Sequence, residues 1–352
     1  MLIQLVLVML SSFALAFLLM PFFIRFAYRF NLLDRPRGRK IHTRAVPTLG
    51  GIVIYLAFTL GLMLAFKMNP AFRQEFASYL VSLLIGSVAI LVLGALHDTV
   101  DIQPVAKLMG QIIAALIIFI HGIRIEVITN PFGGILYLPQ EISLLLTVAW
   151  MVAVMNAINL IDGLDGLAGG ITVIGSTALL CIAFLKHDIS SMFITIALIG
   201  SILGFLRYNF HPAKVFMGDT GSMFLGFILG VISIQGINKM ATTVALLVPI
   251  TAMGIPIYDT FLAIIRRLVT HKNMLHPDRK HLHYRLLGMG INQRKVVLFL
   301  YAVAVYFGLV AFLLVLLPIE FAFMLLLLLG LGVFVGMKAI GFMESRLRSL
   351  PR

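Results

Sequence analysis

Apolar runs of about twenty residues recur from one end of this chain to the other. A run of that length matches a helix crossing a hydrocarbon core of about 30 Å. The sequence is 61% hydrophobic, and Asp, Glu, Lys and Arg together make up only 12%, against roughly a quarter in a soluble domain. The fold class that follows is an all-α polytopic membrane protein. Eleven transmembrane helices are expected, at 3–26, 50–66, 79–96, 105–121, 142–160, 168–185, 191–206, 221–236, 242–263, 297–317 and 321–341. The first run carries Ala14-Leu15-Ala16, which resembles a cleavage site. It has no basic leader and is longer than a signal-peptide core, so it is expected to stay as the first helix. The single cysteine, Cys181, lies in an apolar run and has no internal partner.

Charge sets the orientation. With the N-terminus outside and the C-terminus cytoplasmic, 22 of the 27 Lys and Arg residues fall on the inner face. Only Lys67, Arg73, Arg124, Lys186 and Lys239 fall outside. The net charge of +13 is therefore mostly a topology signal, although a basic inner surface also suits membrane lipid and phosphate ligands. Nucleic acid is a poor partner for a chain with no soluble basic domain. The acids are sorted too: Asp34, Asp98, Asp101, Asp162, Asp165, Asp219, Asp259 and Asp278 map inside, and only Asp188 outside. Dense bases beside short, hard oxygen ligands suit a metal–phosphate site.

Residues 1–352 are expected to form one integral membrane domain. Its longer non-spanning stretches are 27–49, 122–141 and 264–296, the last being a large cytoplasmic substrate loop. Residues 122–141 alternate like strands around Asn-Pro and Gly-Gly, which predicts an outer β-hairpin. No internal repeat is visible, and the acids sit at helix ends rather than mid-span. Both features argue against an ion-coupled transporter.

Within this apolar background stands NAINLIDGLDGLAGG, residues 156–170. Asn156, Asn159, Asp162 and Asp165 recur every three residues and would form one polar stripe if the fifth helix continued through them. Packing by small residues accounts for the glycines but not for the acids. GALHDTVDIQPVAKLMGQ, residues 94–111, places His97 and Asp98 before Pro104 and sets Lys107 and Gln111 on one helix face. A lysine buried near an aspartate in a membrane usually serves function; the alternative is a lysine snorkelling to the interface. In RYNFHPAKVFMGDTGSMFLG, residues 207–226, Asp219 stands in a Gly-Asp-Thr-Gly-Ser turn opening a helix. Such a turn can offer a carboxylate to a metal and N–H groups to an anion, and Asp219 can equally serve as a helix cap. In HPDRKHLHYRLLGMG, residues 276–290, His281 and His283 alternate with basic residues that include Arg279. That setting favours phosphate or sugar over zinc. Arg39, Lys40 and His42 lie in the other basic inner loop, where they bind phosphate or simply enforce topology.

Together, DxPxxRKxH, NxxDGxDGLAGG, FMGDxGSxxLG and PDRxHLH resemble the polyprenyl-phosphate N-acetylhexosamine-1-phosphate transferases of bacterial membranes, sisters of phospho-N-acetylmuramoyl-pentapeptide transferase. The resemblance covers nearly the whole chain. It implies transfer of a sugar 1-phosphate from a UDP-sugar to a polyprenyl phosphate with release of UMP, on the cytoplasmic face of a bacterial plasma membrane. It further implies a magnesium ion, replaceable by manganese, and a homodimer. By the family's pattern Asp219 is the metal ligand, and Asn156, Asn159, Asp162 and Asp165 line the nucleotide and metal pocket. Lys107 faces phosphate, and the histidine segment covers sugar and pyrophosphate. The basic PDRKHLHYR loop is similar to the N-acetylglucosamine branch, the one that starts teichoic acid or related glycopolymers. The chain departs from the pattern twice. His97 stands where the family usually carries the first of two aspartates, and Tyr284 stands where it usually carries a third histidine. The first departure raises a further reading, a relative that binds UDP-sugar without turnover.

Overall fold

The computed structural model describes residues 1–36, 44–100, 102–129, 135–239, 247–269 and 281–349. Thirteen helices dominate them: α1 (Leu2–Arg29), α2 (Gly50–Met68), α3 (Pro70–Val100), α4 (Pro104–Ile120), α5 (Gln140–Ile161), α6 (Leu167–Leu185), α7 (Ile189–Asn209), α8 (Gly218–Lys239), α9 (Leu247–Ala252), α10 (Gly254–Val269), α11 (Leu282–Gly288), α12 (Gln293–Leu316) and α13 (Ile319–Ser349). The strands are short: β1 (Leu33–Asp34), β2 (Val46–Pro47), β3 (Val127–Thr129) and β4 (Ile135–Tyr137).

The chain is a multi-pass, all-α membrane protein. Each of the eleven expected spans lies largely on helix where it is described, and among the described residues nine helices are long and apolar enough to cross a membrane. α4 has 17 residues, matching the expected span 105–121, and begins at Pro104, whose fixed φ suits a first turn. One segment differs from expectation. The segment 242–263 is two helices, α9 and α10, with residues 242–246 outside the described residues. Pro256 explains the break, because it has no N–H to give the carbonyl of Ala252.

α7 and α8 form the interior, buried over 89% of their spanning windows, whereas α13 is buried over only 11% and faces outward. Apolar burial gives little drive between helices already in lipid, so backbones must approach closely. Gly94 of α3 rests on the backbone of Thr220, and Gly226 of α8 on that of Met155 in α5, with no room for a Cβ at either position. Phe224 of α8 meets Tyr55 and Phe58 of α2 edge-on, with ring centroids 5.5 Å apart in each pair.

The expected hairpin is present. β3 and β4 pair antiparallel, Val127 with Tyr137, Ile128 with Leu136 and Thr129 with Ile135. It joins the C-terminal end of α4 to the N-terminal end of α5, at the opposite end of those helices from Lys107 and Asp162. β1 and β2 also pair antiparallel and tie the end of α1 to the start of α2. The Phe216 N–H donates to Pro47 O at 2.7 Å, and the Gly50 N–H donates to Phe216 O at 3.1 Å. The stems of the first basic loop are thereby fastened to the segment that leads into α8.

Candidate active site

The site grows from the N-terminus of α8. Gly218 adopts φ +71°, a conformation that glycine alone takes without strain, and a Cβ there would press on the Asp98 carboxylate. Asp98, near the end of α3, caps α8 across the chain. It accepts the N–H groups of Asp219 at 2.8 Å and Thr220 at 3.2 Å, and the Thr220 hydroxyl at 2.7 Å. These N–H groups are therefore occupied rather than offered to an anion, and the cap is Asp98 rather than Asp219.

Relieved of capping, the Asp219 side chain turns to Lys107. The ammonium donates to Asp219 Oδ2 in a close ion pair and to Asn159 Oδ1 at 2.7 Å. Asn159 Nδ2 donates to Asp219 Oδ1 at 3.0 Å and to the Ser222 hydroxyl at 2.8 Å. His97 Nε2 lies 3.4 Å from Asp219 Oδ2. Lys107 is therefore an anchored cation inside the bundle and not a snorkelling one. One turn deeper, Asn156 donates to Gln111 Oε1 at 2.7 Å, and Gln111 donates to the Met223 sulfur at 3.4 Å. Asn156 thus supports the layer beneath the cluster.

The polar stripe expected along 156–165 is cut short. α5 ends at Ile161, and Asp162 is its C-cap residue. Asn159 and Asp162 belong to the cluster, whereas Asp165 lies beyond the turn and serves another contact. Its Oδ2 pairs with His211 Nδ1 at 2.8 Å and accepts the Ala213 N–H at 3.1 Å, fastening the α7–α8 connection. Gly166 completes that joint by donating its N–H to Asn209 Oδ1 at 2.9 Å and accepting the Tyr301 hydroxyl at 2.5 Å.

The Asp162 carboxylate has no hydrogen bond or ion pair among the described residues; its backbone N–H donates to Asn159 O at 3.4 Å. The residue is partly exposed, but protein encloses the carboxyl. That desolvation, reinforced by the negative charges of Asp219, Asp98 and Asp165, pushes its pKa up to about 8. A half-open acid held among other acids is a place for a cation. Among the described residues no three His, Cys, Asp or Glu side chains close into a ligand cluster. One or two carboxylates here would fit an ion that leaves its other positions to water and phosphate, as magnesium does.

The histidine segment closes one side. His281 Nδ1 lies 2.9 Å from Asp259 Oδ2 in α10, and the Leu282 N–H donates to Asp259 Oδ1 at 3.0 Å. The rings of His281 and His283 lie parallel, 6.0 Å apart. His283 abuts Gly163, where any Cβ would collide with its Nε2. It is 1% exposed, and neither ring nitrogen has a hydrogen-bond partner among the described residues. Burial holds its pKa down at about 4, so the ring is neutral.

The structure thus brings His97, Asp98, Lys107, Asn159, Asp162 and Asp219 together, with His281 and His283 alongside. Arg39, Lys40, His42 and Arg279 lie outside the described residues. Thr220, Ser222, Gln111, His211 and Asp259 carry contacts that the sequence reading gave no role. Only Asp259 left a usable signal there, as an acid in an apolar stretch with no partner of opposite charge nearby on its own helix.

A family model described as glycosyl transferase family 4 matches residues 80–237, the stretch that supplies the Asp98–Lys107–Asp219 cluster. Over 309 residues the chain is 35% identical to a Bacillus subtilis protein named "Probable undecaprenyl-phosphate N-acetylglucosaminyl 1-phosphate transferase", covering 88% of this chain and 84% of that one. The chain belongs to glycosyl transferase family 4. Within this family it falls among the polyprenyl-phosphate N-acetylhexosamine-1-phosphate transferases. A decaprenyl-phosphate N-acetylglucosaminephosphotransferase of Mycobacterium leprae is 36% identical over 309 residues, covering 81% of this chain and 77% of that one. A phospho-N-acetylmuramoyl-pentapeptide-transferase of Caldicellulosiruptor bescii is 32% identical over 320 residues, covering 87% and 96%. The family 4 match and these relatives agree with the motif resemblance drawn from the sequence.

Proposed function

We propose that this chain transfers N-acetylglucosamine 1-phosphate from UDP-N-acetylglucosamine to undecaprenyl phosphate, releasing UMP, at the cytoplasmic face of a bacterial plasma membrane. The product would start teichoic acid or a related glycopolymer. The observation that carries this reading is the anchored Lys107–Asp219–Asn159 cluster beside the unpartnered Asp162, at helix ends where a lipid phosphate and a soluble nucleotide can meet. Two relatives whose names specify N-acetylglucosamine support the sugar.

A phosphate oxygen of the lipid attacks the phosphorus that bears the sugar. A new P–O bond forms as the bond to the UMP oxygen breaks. Such transfer depends mainly on positioning and on neutralising charge. Lys107 offers a fixed ammonium to the phosphates, held in place by Asn159. Asp219 and Asp162 would hold magnesium, which, when bound, offsets pyrophosphate charge. His97 stands within reach of the same carboxylate and can take the proton that a monoprotonated lipid phosphate must lose. Asp98 acts through the backbone by fixing the turn from which Asp219 projects.

The test is UMP release by purified protein given UDP-N-acetylglucosamine, undecaprenyl phosphate and magnesium, beside a His97→Asp variant. Turnover by both supports the reading with His97 as a working substitute. Turnover by the variant alone marks a catalytically disabled member. Turnover by neither, with UDP-muramoyl-pentapeptide accepted instead, overturns the choice of sugar.

A further inference from the structure

The histidine segment is held by one carboxylate from a helix outside the Asp98–Lys107–Asp219 cluster. Asp259 is 6% exposed and His281 3% exposed. A buried carboxylate needs its lone pairs met, and here one oxygen takes the Leu282 N–H and the other the His281 ring. The first contact pins the N-terminus of α11 to α10. The second fixes the rotation of the imidazole and directs its proton to Nδ1, which leaves Nε2 as the ring's remaining acceptor. His283, two residues on, lies parallel to that ring and against Gly163, the neighbour of Asp162. A continuous set of contacts therefore runs from α10 through the two histidines to the turn carrying the unpartnered acid.

We propose that Asp259 is the positioning residue of the histidine segment: it fixes the His281 tautomer, docks α11 on α10, and so holds His283 over the Asp162–Gly163 turn. Asp259 does not touch the reacting groups. Its effect on turnover passes through His281, in the way an outer carboxylate orients a ligating histidine and typically alters activity about tenfold to hundredfold when removed. The inference about turnover rests on the transferase reading, whereas the tautomer does not.

The experiment uses full-length protein in lipid nanodiscs with ¹⁵N-labelled histidine, comparing wild type, Asp259→Asn and Asp259→Glu, with His281→Asn to assign the signal. Wild type should show His281 protonated at Nδ1. In Asp259→Asn the amide N–H faces Nδ1, so the proton should move to Nε2, with kcat falling about tenfold or more. Asp259→Glu keeps an acceptor and should retain the Nδ1 proton and recover part of kcat. Should the Asn variant fail to fold, the Glu variant carries the comparison, since a tautomer differing from wild type there overturns the proposal. An unaltered tautomer in Asp259→Asn overturns it as well, as does wild-type turnover despite a swapped one. If wild type itself releases no UMP, the transferase reading fails, and the tautomer shift still decides whether Asp259 fixes His281.

Discussion

The carboxylate of Asp98 accepts the backbone N–H of Asp219 at 2.8 Å, so two acids of the cluster are joined through the main chain. Asp98 takes the Thr220 N–H and hydroxyl as well. Its first effect is thus on where Asp219 points.

Removing that cap should therefore cost stability and activity together. Asp98→Ala strands three donors at the start of α8 and should lower stability by about 2 kcal/mol, with turnover abolished as Asp219 moves. Thr220→Val removes one donor and should cost about 1 kcal/mol, leaving turnover within the same order of magnitude. Thermal unfolding in detergent, read beside UMP release, measures both. An Asp98→Ala protein that melts with wild type contradicts the capping role.

The Lys107 ammonium already occupies Asp219 Oδ2, so a divalent ion bound there without nucleotide would have to compete with it. Lys107→Met should bind Mn²⁺ several-fold more tightly in the nucleotide-free protein, as read by electron paramagnetic resonance. Its kcat should fall about 100-fold or more, the usual loss when one preorganised charge is removed. Weaker Mn²⁺ binding in the variant would show that Lys107 assists the metal site instead of competing for it.

Asp165 shares the motif of Asp162 but not its surroundings. Since its Oδ2 serves His211 and Ala213, Asp165→Asn and His211→Ala should each loosen the α7–α8 connection, and the double variant should be little worse than either. Thermal unfolding of the four proteins should give a coupling of about 1 kcal/mol. Affinity for the UDP-sugar should drop equally in both single variants. A drop confined to Asp165→Asn would place that acid in direct contact with the nucleotide.

The difference between Asp162 and Asp165 shows what the sequence carries and what it withholds. Apolar run length located the membrane helices because bilayer thickness imposes it. Polar residues inside apolar runs located Lys107, Asn159 and Asp219 because lipid makes such residues costly. The break at Met253 was written in Pro256, but a proline just inside a helix start also occurs in unbroken spans, so the residue alone was ambiguous. Spacing of three placed Asp162 and Asp165 on one stripe, and only the end of α5 at Ile161 separates them. The cap from Asp98 and the clamp from Asp259 join residues 121 and 22 positions apart, respectively, to their partners. Contacts across such separations depend on how helices cross, which no local pattern encodes.

His283 gives the structure an acid-sensitive element. Its folded pKa, about 4, lies below the 6.5 of an unfolded histidine because charging it would require hydrating a ring that is 1% exposed. Above pH 6.5 both states are neutral and the stability is complete. Between 6.5 and 4 the unfolded chain binds the proton more readily than the folded one, so stability falls as pH falls. The loss reaches about 3 kcal/mol near the lower limit if the whole domain unfolds. The unfolding midpoint of wild type should therefore drop on acidification across this window, and His283→Phe should remove that component while filling the same apolar space. Because the ring abuts Gly163, the opening should begin at the histidine segment, with faster amide exchange at 282–288 before the rest of the bundle responds. An acid-induced drop of equal size in His283→Phe would assign the sensitivity to another group.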